Sequence, residues 1–546
     1  MKRILIVLAA VIGIMAGVKV LACTNFLVGK KASADGSVMI SYAADSHNLY
    51  GEMYHWPAAT WPKGAMLEVK DWDSGKPLGK IPQVERTYSV IGNMNEYQVA
   101  ITETTFGGRR ELVDSTGIMD YGSLIYIALQ RSKTAREAIK VMTDLVAAHG
   151  YYSGGESFSI ADKNEVWIME MVGKGAGRKG AVWVAIRIPD DCISAHANQS
   201  RIHQIPFADK ENCMYAPDVV SFAREKGYFS GNDRDFSFTH AYCPYDFGGL
   251  RGCEARVWSF FRKYDKTMDK YTDFIKGDPT KEPMPLYIKP DRKLSVSDVQ
   301  NGMRDHYEGT DLDMTKDAGA GPYKVPYRWR PMHFTVDGAE YLNERAIATQ
   351  QTGFIIVPQM RNWLPDAIGG ILWFGVDDAD MAVFNPVYCS AVQAPECYRV
   401  GNGDLYNFSW TSAFWIHNWV ANMAYHKYNF MIQDIRKVQQ EIESGYSTTL
   451  PAIEKAALEL YAKKPEDAIK FLSWYSGTNA VQVTERWKKL GEYLLVKYID
   501  GNVKKEENGA FKRNPYGQPD SPDFPGYDEE YYRSIVKSAG ERLKVK

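Results

Sequence analysis

The sequence predicts an α+β protein built on antiparallel sheets that carry helices on their outer faces, followed by a helical C-terminal region. Three observations carry this. Apolar, β-rich runs come in consecutive groups joined by turn residues, at 24–41, 89–102 and 157–188. A helical pattern intervenes between the second and third groups, and from about residue 408 the apolar spacing becomes helical. Grouped hairpins interrupted by helices argue against a regular βαβ alternation.

In chain order, Thr24–Val28 and Ser37–Ser41 read as two strands around Asp35-Gly36, a dipeptide that favours hairpin turns. Ser89–Ile91 and Gln98–Thr102 form a second pair around Asn93–Glu96. Thr134 with Glu137 makes a capping box for a helix whose apolar face is Ala138, Met142, Leu145 and Val146, and Gly150 ends it. Strands resume at Ser157–Ile160, Val166–Met171 and Ala181–Ile188. Residues 262–350 are rich in Lys, Asp, Pro and Gly with little periodicity, and read as an insertion or extended loops. Met431, Ile435, Val438 and Ile442 mark a helix ending near Gly445. Pro451 opens the next, and further helices follow near 465–475 and 482–499. The organisation expected is therefore a leader over 1–22, a main domain over 23–407, a helical region over 408–500 and a polar tail over 501–546.

The chain has 546 residues, 45% hydrophobic and 24% charged, a globular composition. A formal net charge of −2 and no Lys/Arg-rich run leave no electrostatic footprint for nucleic acid. Lys2 and Arg3, then the apolar run Ile4–Val18 and a small residue at Ala22, read as an export signal cut before Cys23. The run is too short to span a bilayer stably, so the mature protein is expected in the periplasm or outside the cell. Export makes pairing of cysteines expected. Of seven, Cys243 with Cys253, Cys389 with Cys397, and Cys192 with Cys213 are the short-loop pairing, one of several arrangements, and Cys23 is the thiol left over.

Gly175–Gly180 matches the dinucleotide fingerprint, but a strand follows it instead of the helix that would hold a pyrophosphate, so it reads as a hairpin loop. Asp311, Asp313 and Asp317 lack the glycine and terminal Glu of a calcium loop and read as a solvated acidic stretch. No P-loop or zinc-protease motif occurs. No cofactor and no metal are expected.

Cys23 has three readings: a half-cystine, a lipid-attachment site following Val20-Leu21-Ala22, or a nucleophile. Cleavage after Ala22 would put a thiol and a free α-amine on one residue. That amine, with an ordinary pKa near 7.7–8, can take the thiol proton.

The run Cys23-Thr24-Asn25-Phe26-Leu27-Val28-Gly29 through Ala34-Asp35-Gly36-Ser37 resembles the start of the dipeptidase A-type cysteine peptidases, within the N-terminal-nucleophile (Ntn) hydrolases. Asn93–Glu96, Thr102–Gly108, Gly155–Phe158, His196–Ile202 and Gly369–Gly375 continue the likeness to about residue 440. The resemblance implies a four-layer αββα sandwich and cofactor-free amide hydrolysis of dipeptides through a thioester on Cys23. By the related penicillin V acylases and bile-salt hydrolases it also implies site roles. Asp45 would hold the amine or thiol, Asn95 would donate to the oxyanion, and Asn198 would position the nucleophile. Arg256 would support the site, with Arg251 as its competitor. Those relatives carry an arginine where this chain has Tyr42, a hydrogen-bonding but uncharged substitute. Tyr42, Glu103, Thr104 and Arg109 are the substrate-binding candidates by position. Two rivals remain at this stage: an acylase of linear N-acyl amides on the same scaffold, and a lipid-anchored surface protein. A homo-oligomer is compatible with either.

Overall fold

The computed structural model describes residues 23–545; the expected leader over 1–22 lies outside the described residues. Two eight-stranded antiparallel sheets form the centre. In the first, Tyr287–Ile288, Ile193–His196, Asn25–Val28, Val38–Ile40, Thr352–Met360, Ile371–Val376 and Asn385–Tyr388 lie in that order, with Tyr42–Asp45 also paired to Thr352–Met360. In the second the order is Cys213–Tyr215, Ala181–Arg187, Val166–Gly173, Gly155–Ala161, Ala100–Gly107, Met94–Asn95, Val90–Ile91 and His55–Trp56.

Strand alternation explains the layering. In Val166–Gly173, Trp167, Met169 and Met171 enter one core with Ala138, Met142, Leu145 and Val146 of the helix Ala135–His149. Val166, Ile168 and Val172 enter another core, shared with Leu27, Val38 and Ile40 of the first sheet. The far face of the first sheet, with Phe26, Val28, Ile355 and Val357, packs on Val257, Phe260 and Phe261 of the helix Ala255–Phe261 and on Tyr446, Leu450 and Leu472. Strands buried on both faces read as near-continuous apolar runs, which is why the alternation within them was faint in sequence.

The helix Ala135–His149 is capped as expected: the Thr134 hydroxyl accepts from the Glu137 N–H, and Gly150 closes it at φ 80°. Two local expectations change. Asp35-Gly36 is not a two-residue hairpin turn, because Val28 pairs with Met39 and a longer loop joins them. Asp35 instead accepts hydrogen bonds from the Ser33 and Ser37 hydroxyls. At the C-terminus the helices are longer than the sequence punctuation suggested: Ala413–Tyr425, Tyr428–Lys463 and Pro465–Lys497, the second running through both Gly445 and Pro451. Buried Tyr446 and Leu450 hold the helix there, while Thr448 and Thr449 hydroxyls bond the Gly445 carbonyl.

The expected disulfides are absent. All seven cysteines are free thiols. Cys243 and Cys389 each donate to a backbone carbonyl, of Phe106 and Asp366. Cys23 is therefore not singled out by being unpaired. Residues 175–180 form the loop between paired Gly173 and Ala181, with positive φ at three glycines. Asp313 and Asp317 cap short helical turns instead of converging, and Asp311 pairs with Lys276. No helix among the described residues is long and apolar enough to cross a membrane.

Candidate active site

Cys23 precedes the strand Asn25–Val28 and is held by a bridge in which Ala43 N–H donates to the Thr24 carbonyl at 2.9 Å. Its thiol is buried, 3.7 Å from the Tyr42 hydroxyl and 3.8 Å from Glu103 Oε1. The Tyr42 hydroxyl donates to the same carboxylate oxygen at 2.5 Å. Burial, and then the negative charges of Glu103 and Asp45, push the Cys23 thiol well above its ordinary pKa. Hydrogen bonding with the Asp45 backbone N–H and with the Tyr42 hydroxyl offsets part of this. The resting group is thus a neutral thiol, which needs a base at the moment of attack.

Asp45 is fully buried. Its Oδ1 takes the Thr352 hydroxyl at 2.6 Å, and its Oδ2 takes Arg345 Nη2 at 2.5 Å. Burial pushes its carboxyl up to about 6, against the pull of Arg345 and Thr352. Arg345 is itself lowered to about 10, chiefly by burial and then by the Arg256 charge. The cation that meets Asp45 is Arg345, from a stretch where the sequence offered no periodicity and no motif.

Arg256, not Arg251, reaches the nucleophile. Buried on the helix Ala255–Phe261, it donates to the Cys23 carbonyl at 2.7 Å, the Thr24 hydroxyl at 2.9 Å, the Ala197 carbonyl at 3.1 Å and Asn198 Oδ1 at 3.0 Å. Arg251 pairs with Glu344 instead. Asn198 stands at φ 60° and donates to the Thr105 carbonyl at 2.7 Å, so it links Arg256 to the second sheet. Left-handed backbone of this kind is tolerated best by Gly and Asn.

Three expectations move. Asn95 does not face the nucleophile: its amide donates to the Leu129 and Ser132 carbonyls, and its oxygen accepts from the Tyr97 and Val99 N–H groups. It holds the turn to the helix Tyr121–Arg131, the commonest use of a turn Asn. Thr104 is buried against His196 Nδ1 at 2.7 Å, away from the cavity. Arg109 donates to the Ala241 carbonyl and lies over the Tyr228 ring.

A cavity of about 460 Å³ opens on Cys23. On the second sheet it is lined by Glu103 of the strand Ala100–Gly107 and by Gly92 and Asn93 beside Met94–Asn95, which pairs with that strand at Ala100. Asp45, Glu103, Asp73 and Asn93 line it on the polar side. Tyr54, Trp56, Trp72 and Tyr126 make an aromatic wall, with Trp56 and Tyr126 stacked at 4.9 Å. Leu405 and the highly exposed Tyr406 stand at its border. Glu103 contacts Glu156 beyond it; burial raises both, and the Glu103 charge raises Glu156 further. Glu156 and Asn93 sit in sequence blocks noted above for their family likeness, but nothing local marked them as site residues.

Known proteins are similar to this chain over most of its length. The profile of peptidase family C69 matches residues 22–52 and 49–441. A probable dipeptidase of Latilactobacillus sakei is 28% identical over 480 residues, covering 83% of this chain and 90% of its own. A probable dipeptidase of Salmonella dublin is 28% identical over 393 residues, 68% of this chain and 81% of that protein. Dipeptidase A of Lactobacillus helveticus is 25% identical over 428 residues, 74% and 81% of the two chains.

Proposed function

Since this chain belongs to peptidase family C69 and is a cysteine peptidase, we propose that it is an exported dipeptidase whose nucleophile is Cys23, freed by removal of residues 1–22. The observation that carries the reading is the Cys23 thiol lining a cavity of about 460 Å³, with a buried, cation-held carboxylate also in the lining. Pockets of 300–1,000 Å³ suit small ligands. The two central sheets with helices outside them fit the four-layer αββα arrangement of the Ntn hydrolases.

In this mechanism the α-amine released on Cys23 takes the thiol proton as sulfur attacks the scissile carbonyl. The same amine then delivers that proton to the leaving amine, and water hydrolyses the thioester by the reverse path. Asp45 orients the amine, and Arg345 keeps Asp45 ionised despite its burial. Arg256 fixes the Cys23 carbonyl, so the thiol cannot drift from its line of attack. With both Asn95 N–H groups committed elsewhere, the Asn93 side-chain amide in the cavity, which gives one N–H to the Ile101 carbonyl at 2.9 Å, takes the oxyanion role with the other, alongside backbone N–H groups.

Intact mass of the processed protein, together with turnover, tests the reading. An N-terminus at Cys23 without added lipid is expected, and Cys23→Ala in that form should lose at least about 10⁴-fold in dipeptide turnover. Lipid on Cys23, or wild-type turnover by the variant, overturns it.

A further inference from the structure

A dipeptidase needs Cys23 and its base, but two more carboxyls lie buried beside the nucleophile and that chemistry does not use them. Glu103 is 2% exposed and Glu156 1% exposed. Oε1 of Glu103 takes the Tyr42 hydroxyl, and Oε1 of Glu156 takes the Thr105 hydroxyl at 2.8 Å. Oε2 of each has no hydrogen-bond donor outside the pair. The Cys23 cavity and the recess beside Glu156 share Asp73 and Tyr121 in their linings, and no Lys, Arg or His lines either. The one bond that reaches these oxygens is between the two carboxyls themselves; it raises Glu156 and lowers Glu103, so the charge of the pair stays on Glu103, with no cationic side chain in the cavity lining to face it. A bound cation would answer that charge.

We propose that Glu103, backed by Glu156, is the seat for the α-ammonium group of the substrate's N-terminal residue. The inference rests on the dipeptidase reading and deepens it: the enzyme recognises its substrate by a free amino terminus.

The geometry selects this seat over others. In a dipeptide the amine nitrogen lies about 2.5 Å from the scissile carbonyl carbon. Sulfur approaches that carbon from about 3–3.5 Å, so the ammonium must sit within a few ångströms of Sγ. Glu103 Oε1 is 3.8 Å from Sγ. Asp45, the other acid nearby, already carries a cation, Arg345, and is assigned to the enzyme's own amine. Glu52 accepts from Tyr54. Glu103 is thus the buried acid beside the nucleophile that carries no cation, and Glu156 sets the charge and the position of its carboxyl.

The test compares three substrates that share one scissile amide: Leu-Ala, N-acetyl-Leu-Ala, and 4-methylpentanoyl-Ala, which lacks only the amine. Each is measured with the processed full chain and with Glu103→Gln and Glu156→Gln. Wild type is expected to favour Leu-Ala over the des-amino analogue by roughly 10³-fold or more in kcat/KM. In Glu103→Gln that ratio should shrink about 30-fold or more, chiefly through loss on Leu-Ala. Glu156→Gln, which does not touch Cys23 or Tyr42, should shrink it in the same direction, and thus reports independently if Glu103→Gln folds poorly. Equal losses on both substrates would assign Glu103 to the thiol and overturn the seat, as would an unchanged ratio in both variants. A wild type that prefers either analogue overturns the dipeptidase reading itself, which separates the two failures.

Discussion

Cys23 rests as a protonated thiol because its immediate surroundings are acidic and dry, so reactivity depends on one proton transfer at one atom. Two asparagines two positions apart then do different work. Asn95 spends its side chain on four backbone groups, so Asn95→Ala should cost about 3 kcal/mol of stability, read by denaturant unfolding, with kcat of the folded fraction little changed. Asn93→Ala, which loses one bond to the Ile101 carbonyl, should cost about 1 kcal/mol and lower kcat about 10²-fold. The reverse pattern would return the oxyanion role to Asn95. Tyr42 keeps the hydrogen-bonding half of the arginine expected at its position, while the cation Arg345 meets Asp45.

At the scale of elements, Met94–Asn95 is a short strand paired with Ala100–Gly107 at Ala100, and Asn93 before it and Glu103 on its neighbour both line the cavity. The C-terminal helices show the opposite case, an element longer than its local signals allow. Pro451 lacks an N–H for the ladder, yet the helix passes through it because Tyr446 and Leu450 before it and Ala457 after it are anchored in the core. Pro451 itself is exposed. Pro451→Ala should therefore stabilise the protein, by about 1–3 kcal/mol, visible as a higher midpoint in thermal or urea unfolding. A lower midpoint would mean that the kink itself is needed for packing.

At the scale of the whole molecule, the site is held at the expense of stability. Glu103, Glu156 and Asp45 all have raised pKa values in the fold, with burial the first cause in each. A carboxyl raised in the folded state favours folding below its unfolded pKa, and that contribution is lost as pH rises through the folded value. Stability from Asp45 should accordingly fall as pH rises to about 6, and that from Glu103 and Glu156 should fall as pH rises above the ordinary carboxyl range. Glu156→Gln should raise the melting temperature at pH 7.5, with the gain vanishing near pH 4, while substrate selection weakens. Equal melting temperatures of variant and wild type at both pH values would show that Glu156 carries no such cost.

The sequence by itself determined what depends on near neighbours. The Thr134 cap, the grouped strands, the loop at 175–180 and the ordered blocks from Cys23 onward are written in adjacent or periodic residues. Asp45 and Asn198 could be named from their blocks, and Arg256 with Arg251 as its rival. The tertiary structure alone decided which of those arginines reaches Cys23, which asparagine faces the cavity, and what charges surround the thiol. Glu103 meets it from 80 residues away and Arg256 from 233, while Arg345 reaches Asp45 across 300. The physical reason is that hydrogen bonds and hydrophobic periodicity act along a few residues of chain. The electrostatics of a buried site instead sum over whatever side chains folding brings within a few ångströms, and sequence spacing does not encode that distance.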